Sequence, residues 1–281
     1  MLEIKKKKNS VYVVMVILLV TKVLGFLKLR VIAQLFGTSH ELDIFWAAFT
    51  IPDTLFMITV AGSLNAAFIP LLAEVFHKDG EEKLHKFFSN LVIVVGSIIV
   101  LAALLFFIFT PQIAQILVGS DKAQTFLGIT SRLELQDLEL FIKLTRILLL
   151  SPILLGISSI ITGYLQVRRQ FFVTSLAPLF YDLAMIVGSI ILVTVFDMGV
   201  IGVAIAAVLG SFFHLMVQIP TLKKHFTTKI KPSFNNLMVA FKDAKIWRAL
   251  KTAFPRTIAI LGEQVNVIVN TFISFTLAPG A

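Results

Sequence analysis

Long apolar runs separated by short charged segments recur from one end of the chain to the other, at about 11–35, 43–75, 88–117, 138–166, 172–195, 199–219 and 253–277. Each reaches or exceeds the roughly 20 residues that an α-helix needs to cross a hydrocarbon core of about 30 Å. The pattern predicts an all-α, polytopic membrane protein with about seven transmembrane helices. Residues 1–281 then form a single transmembrane lobe with no sizeable soluble domain. The first run, Val11 to Val20, follows Lys5, Lys6, Lys7 and Lys8 and so begins like a signal peptide. Thr21-Lys22-Val23-Leu24-Gly25 is a poor cleavage site, which makes this run a membrane helix instead.

Composition strengthens this reading. Hydrophobic residues make up 57% of the 281, with 26 Phe, and mean hydropathy is +0.92, more than one soluble core can hide. The formal net charge of +9 does not point to nucleic acid, because no basic stripe interleaved with aromatics is present and the charges gather between apolar runs. Membrane topology explains them. With the N-terminus cytoplasmic, the inside segments hold Lys5 to Lys8; Lys78, Lys83 and Lys86; Arg168 and Arg169; and the lysines and arginine from Lys223 to Lys251. The outside segments hold only Lys122 and Arg132. That bias places the N-terminus inside and the C-terminus outside. Two connections exceed a hairpin: Gly119 to Asp137 reads as an external loop, and Leu237 to Leu250, with Trp247, reads as either an interfacial helix on the anionic inner leaflet or a solvated loop. The absence of cysteine excludes disulfides, thiolate metal sites and Cys nucleophiles.

An ionised side chain at membrane depth costs about 2.5–3.5 kcal/mol on insertion scales and therefore needs a partner, water or a purpose. This chain has several: Lys22, Lys28 and Arg30 in or just beyond the first span, Asp43 and Asp53 at the start of the second, Lys143 and Arg146 in the fourth, Asp182 in the fifth, and Arg256 and Glu263 in the seventh. At about 100° per residue Lys143 and Arg146 are neighbours, and Arg256, Glu263 and Asn270 recur on one stripe with Asn266 and Ser274 close by. Such a stripe faces a water-filled cavity or another helix. Arg256 and Lys143 could instead snorkel to an interface, Lys28 and Arg30 could lie beyond the membrane, and Asp53 could merely cap a helix segment after Pro52. Lys22 and Glu263 are too deep for such an escape. Asp43 is expected at the outer end as a counter-charge for Lys28 or Arg30. Gly25, Pro52, Gly62, Pro70, Pro152, Pro178 and Pro255 are expected to interrupt membrane helices, either as bends for alternating access or as static kinks.

Thr21-Lys22-Val23-Leu24-Gly25-Phe26-Leu27-Lys28 resembles the S-R-x-L-G-x-x-R opening of the MurJ/MviN family, in the multidrug/oligosaccharidyl-lipid/polysaccharide exporter superfamily. The similarity continues through Val31-Ile32-Ala33-Gln34-Leu35-Phe36-Gly37, Asp43 to Phe49, Ile51-Pro52 and Ala66-Ala67-Phe68-Ile69-Pro70-Leu71-Leu72-Ala73-Glu74. Fainter echoes run on at Leu144 to Ile147, Leu176-Ala177-Pro178, and Pro255-Arg256 leading to Asn266 and Asn270. The resemblance implies a flippase of the bacterial cytoplasmic (inner) membrane that moves lipid II, an undecaprenyl-pyrophosphate-linked peptidoglycan precursor, to the outer leaflet by alternating access. Family members have two lobes around a cationic cavity, so this chain would be one lobe, lacking its C-terminal lobe or needing a second chain. The motif's basic positions correspond to Lys22 and Lys28 and its acidic one to Asp43. Lys22, Lys28, Arg30, Arg146, Arg256 and Glu263 are therefore the expected substrate-binding residues, with Asp43, Asp53 and Gly25 as gating or counter-charge positions. Two departures stand out. The family's P-N-x-x-R-R…E-G-A segment is replaced by Pro52-Asp53-Thr54-Leu55-Phe56-Met57 leading to Val60-Ala61-Gly62-Ser63, and lysines replace arginines in the first motif. A lysine offers a point charge where an arginine offers a bidentate fork.

A transporter explains the intramembrane cations, the helix breaks and the motif together. A polyprenyl-phosphate transferase would want clustered acids for Mg²⁺ near one interface, but Asp43, Asp53 and Asp182 are scattered. No Gly-rich phosphate loop, metal-ligand spacing or paired catalytic histidine is found, so neither enzyme nor cofactor is expected. The alternatives to a lipid II flippase are a related polysaccharide-lipid or drug exporter, or a non-transporting membrane scaffold. The expected partners are the pyrophosphate-linked lipid and membrane lipids, with no nucleic acid.

Overall fold

A computed structural model describes residues 2–61, 64–115, 135–226, 240–241 and 243–275, with backbone alone at 2–11, 60–61, 64–67, 135, 268 and 271–275. Among the described residues the fold is all-α, as the apolar periodicity requires. The helices are α1 (Leu2–Phe36), α2 (His40–Phe56), α3 (Leu64–Asp79), α4 (Glu81–Ala114), α5 (Leu135–Leu148), α6 (Leu150–Val167), α7 (Phe171–Thr194), α8 (Gly199–Met216), α9 (Ile219–His225) and α10 (Ala244–Phe275). Ser39 caps α2, its hydroxyl accepting from the Leu42 N–H at 3.4 Å. Gly37, with φ of 60°, and Gly80, with φ of 85°, turn the chain after α1 and after α3, in a backbone region that glycine enters without a Cβ penalty.

Six stretches among the described residues are long and apolar enough to cross a membrane: Tyr12–Phe36, His40–Thr59, Glu81–Ala114, Gln136–Val167, Phe171–Thr194 and Gly199–His225. The seventh sequence span overlaps α10, a 32-residue helix described as far as Phe275 that carries Arg256, Glu263, Gln264, Asn266 and Asn270. The expected external loop falls mostly on residues 116–134, outside the described ones. The second span is not one helix. It passes from α2 into a π-helical turn, Met57–Ala61, where the Thr59 hydroxyl donates to Leu55 O at 2.6 Å.

Most of the positions expected to bend or kink the helices lie inside continuous helices. α2, α3, α7 and α10 continue through Pro52, Pro70, Pro178 and Pro255, and α1 continues through Gly25. A proline removes one backbone donor, and neighbouring helices can absorb that loss without ending the helix. Only Pro152 sits beside an interruption, at Leu149 between α5 and α6, while Gly62 lies outside the described residues. Asp53 is therefore interior to α2 and caps nothing. The amphipathic stretch ending at Leu250 is also not a separate surface helix from Ala244 onward. Ile246, Ala249 and Ala253 are buried, so the first turns of α10 already carry the packing face that continues to Gln264. The start of that stretch, Leu237 to Val239, lies outside the described residues.

Two large apolar cores, with a small third one at Leu55, Ala103 and Leu149, hold the described helices together. One gathers Phe68, Leu72, Leu84, Phe88, Tyr164, Leu215 and Ile246 from α3, α4, α6, α8 and α10. The other gathers Ile32, Phe45, Phe141, Leu144, Met185 and Val203 from α1, α2, α5, α7 and α8. Helices α7 and α8 run antiparallel along a small-residue seam: a Cβ built on Gly188 would lie 3.0 Å from Ala206 Cβ, and one on Gly202 would lie 3.0 Å from Leu192 Cβ. Close backbone approach of this kind replaces the hydrophobic drive that lipid does not supply.

A buried polar network crosses from α6 to the end of α8. Gln218 donates to Ser158 Oγ at 2.7 Å and accepts from Thr162 at 3.0 Å, while Ser158 Oγ lies 2.7 Å from His214 Nδ1. Replacing Gln218 with Leu removes a shared partner and is expected to destabilise the protein by about 1–2 kcal/mol. Thermal unfolding in detergent should show a lowered midpoint, and an unchanged midpoint would mean the network contributes nothing to stability.

Candidate functional site

Helix α1 packs along α7, and that contact brings together the closest pair of intramembrane charges. The Lys28 ammonium donates to Asp182 Oδ1 at 2.6 Å and lies 5.1 Å from the centre of the Tyr181 ring. Asp182 is buried, with its side chain 9% exposed, and Lys28 is 19% exposed, so the cation is the more reachable of the two. Gly25 lies one turn before Lys28 on the same face of α1, and a Cβ there would lie 3.8 Å from Asp182 Oδ2. The counter-charge of Lys28 is thus Asp182, not the expected Asp43, which sits half-buried in the first turn of α2. Nothing in the sequence marks a contact across 154 positions, although a lone acid in an apolar helix signals that some partner exists.

The other candidates are dispersed. Lys22 and Arg30 on α1 are exposed and form no ion pair among the described residues. On α5, Lys143 is exposed, whereas Arg146 is half-buried with its guanidinium 4.8 Å from the centre of the Phe107 ring of α4. Its Nε is buried without a hydrogen-bond partner. Asp53 is half-buried on α2. On α10 the residue turned inward is Gln264, which accepts from the Thr54 hydroxyl of α2 at 3.3 Å. Arg256, Glu263, Asn266 and Asn270 face the opposite, exposed side, where Asn270 donates to Asn266 at 2.7 Å. Ser274 has no described side chain.

A separate polar cluster gathers at one end of the helix assembly, where the charges of three connections meet. Arg168 pairs with Glu81 and donates to His225 O, which also accepts from Tyr164 at 2.9 Å. Lys245 and Lys83 both bind Asp79, and Arg248 approaches Glu74 at 4.0 Å. The hydrogen bond from Lys245 holds the Asp79 carboxyl below its ordinary range, with the charge of Lys83 adding to the effect. No group of three or more His, Cys, Asp or Glu suited to a metal ion occurs among the described residues.

Solved structures share this fold. A "Lipid II flippase MurJ, inward closed conformation" superposes with a TM-score of 0.67 at 23% identity, covering 95% of this chain and 51% of that one. A transporter of the MOP superfamily from Pyrococcus furiosus superposes at 0.63 with 15% identity, covering 90% and 53%. The fold of this chain therefore corresponds to about half of each of those structures. The family model described as "Lipid II flippase MurJ" matches residues 32–281, and the chain belongs to that family. Among curated relatives, the "Probable lipid II flippase MurJ" of Buchnera aphidicola subsp. Acyrthosiphon pisum is 27% identical over 263 residues, covering 94% of this chain and 48% of the relative. The "Lipid II flippase MurJ" of Burkholderia cenocepacia is 26% identical over 264 residues, covering 94% and 49%. The chain thus spans about half the length of the curated relatives it matches. It is a multi-pass protein of a bacterial inner membrane.

Proposed function

We propose that this chain is one lobe of a flippase that moves lipid II, or a closely related undecaprenyl-pyrophosphate-linked precursor, from the inner to the outer leaflet by alternating access. It is a transporter and not an enzyme. The observation that carries this reading is the exposed polar side of α10, with Arg256, Glu263, Asn266 and Asn270, together with the exposed Lys22 in the apolar middle of α1. Charges at membrane depth are too costly to leave against lipid, so these surfaces face water or a second lobe. Positively charged walls suit a pyrophosphate, and the lipid II flippases among the relatives supply the class of lipid. A second lobe supplies the opposite wall and the alternate gate. The N-terminus lies in the cytoplasm, which puts Lys78, Lys83, Arg168, Lys245 and Arg248 on the inner side. Their meeting at one end of the lobe supports that topology.

The test is expression of the full-length protein in bacteria depleted of their own lipid II flippase, paired with movement of fluorescent lipid II in proteoliposomes. Restored growth together with protein-dependent movement is the expected result. Movement of a neutral lipid but not of lipid II would sink the proposal.

A further inference from the structure

The Lys28–Asp182 pair is an expensive arrangement if its only role is to hold helices together. Taking both charges out of water costs several kcal/mol per ion, and an apolar pair of similar volume often packs as well or better. The pair has a directional feature as well: Asp182 is the deeper partner, on α7, while Lys28 on α1 keeps the larger exposure. An ammonium carries three donors. One is committed to Asp182 Oδ1, and the Tyr181 ring flanks the cation. A ligand oxygen reaching this ammonium must therefore compete with a carboxylate already in place.

We propose that Asp182 is a specificity-determining positioning residue, the standing counter-ion of Lys28, and that a multiply charged phosphate head group binds by drawing the ammonium away from it. This rests on the reading of the chain as a pyrophosphate-lipid transporter lobe. The carboxylate sets a threshold. A pyrophosphate, with more than one negative charge and several acceptor oxygens, outcompetes a single carboxylate for the ammonium. A phosphodiester with one charge does not, so the abundant anionic phospholipids of the same membrane are kept off the site. When the head group leaves, Asp182 takes the cation back, and Lys28 is never left as a bare charge in apolar surroundings. Gly25 leaves room for this exchange, because no side chain of α1 stands between the backbone and Asp182 Oδ2.

The experiment uses the full-length protein purified in detergent, with farnesyl pyrophosphate and the short-chain phosphodiester dihexanoyl phosphatidylglycerol as probes and binding read by calorimetry. In Asp182→Asn the phosphodiester should bind at least tenfold more tightly while farnesyl pyrophosphate tightens less, so that selectivity between them narrows severalfold. Lys28→Ala should weaken farnesyl pyrophosphate binding about tenfold, and adding Asp182→Asn to it should change nothing further. If Asp182→Asn leaves both affinities within twofold while Lys28→Ala still weakens binding, the counter-ion role is wrong and the transporter reading stands. If Lys28→Ala also has no effect, the assignment of Lys28 to the substrate path falls with it. Should Asp182→Asn fail to fold, infrared difference spectra of the unaltered protein on adding farnesyl pyrophosphate must show a carboxylate band that moves in Asp182→Glu. A silent carboxylate region would overturn the proposal.

Discussion

Replacing Lys22 and Lys28 together by alanine in the full-length protein is expected to lower lipid II movement in proteoliposomes by about a hundredfold or more. A hydrogen bond to a charged group contributes about 1.5–3 kcal/mol, and two such contacts to a pyrophosphate amount to at least two powers of ten. The two single variants should differ. Lys22 is exposed and forms no ion pair among the described residues, so its whole interaction is open to a ligand and Lys22→Ala should be nearly pure loss of function. Lys28 already has a partner at 2.6 Å, so its net contribution to binding is smaller and its removal has a second consequence. Alanine at 28 strands the Asp182 carboxylate in the lobe, at a cost of about 3–5 kcal/mol in stability, and this must be separated from transport. Combining Lys28→Ala with Asp182→Asn should restore the unfolding midpoint without restoring movement of lipid II. Full activity in the Lys22→Ala, Lys28→Ala double variant would remove both lysines from the mechanism.

Reading the chain as an all-helical membrane lobe needed only the apolar runs, because in lipid the backbone must satisfy itself and a helix does so within one segment. Lys22 and Lys28 stand out in the sequence for a related reason: a charge in such a run needs a partner, water or a purpose. Less accessible was the question of which charges meet. Asp43 is near Lys28 in sequence and Asp182 is far from it, yet the packing of α1 against α7 decides in favour of Asp182. Whether Pro52 or Pro178 ends a helix likewise depends on what its neighbours supply, and both helices continue. Position on α10 was half legible. The stripe from Arg256 through Asn270 was visible as a polar face, but only the burial of Ala253 and Gln264 shows that this face turns away from α2 and α3.

The seam between α7 and α8 leads to a stability prediction that reaches the site. A Cβ built on Gly210 would lie 2.9 Å from Tyr181 O and 3.0 Å from the Tyr181 ring, closer than real Cβ atoms come to backbone. Alanine at 210 therefore cannot be absorbed by swinging a flexible side chain aside. Either α8 shifts off α7, or the Tyr181 segment moves. Overpacking of this kind costs about 1–3 kcal/mol, and the thermal midpoint in detergent should fall by several degrees. The displaced residue is the neighbour of Asp182 and carries the ring beside the Lys28 ammonium, so Gly210→Ala should also weaken binding of farnesyl pyrophosphate, although Gly210 touches neither charge. Gly96 in α4 is the control, because a Cβ there meets nothing within 4 Å. In an open helical position alanine is preferred over glycine by up to about 1 kcal/mol, so Gly96→Ala should leave the midpoint unchanged or raise it. If both variants behave alike, close approach of α7 and α8 is not what holds Tyr181 in place, and the position of Lys28 must be set from α1 alone.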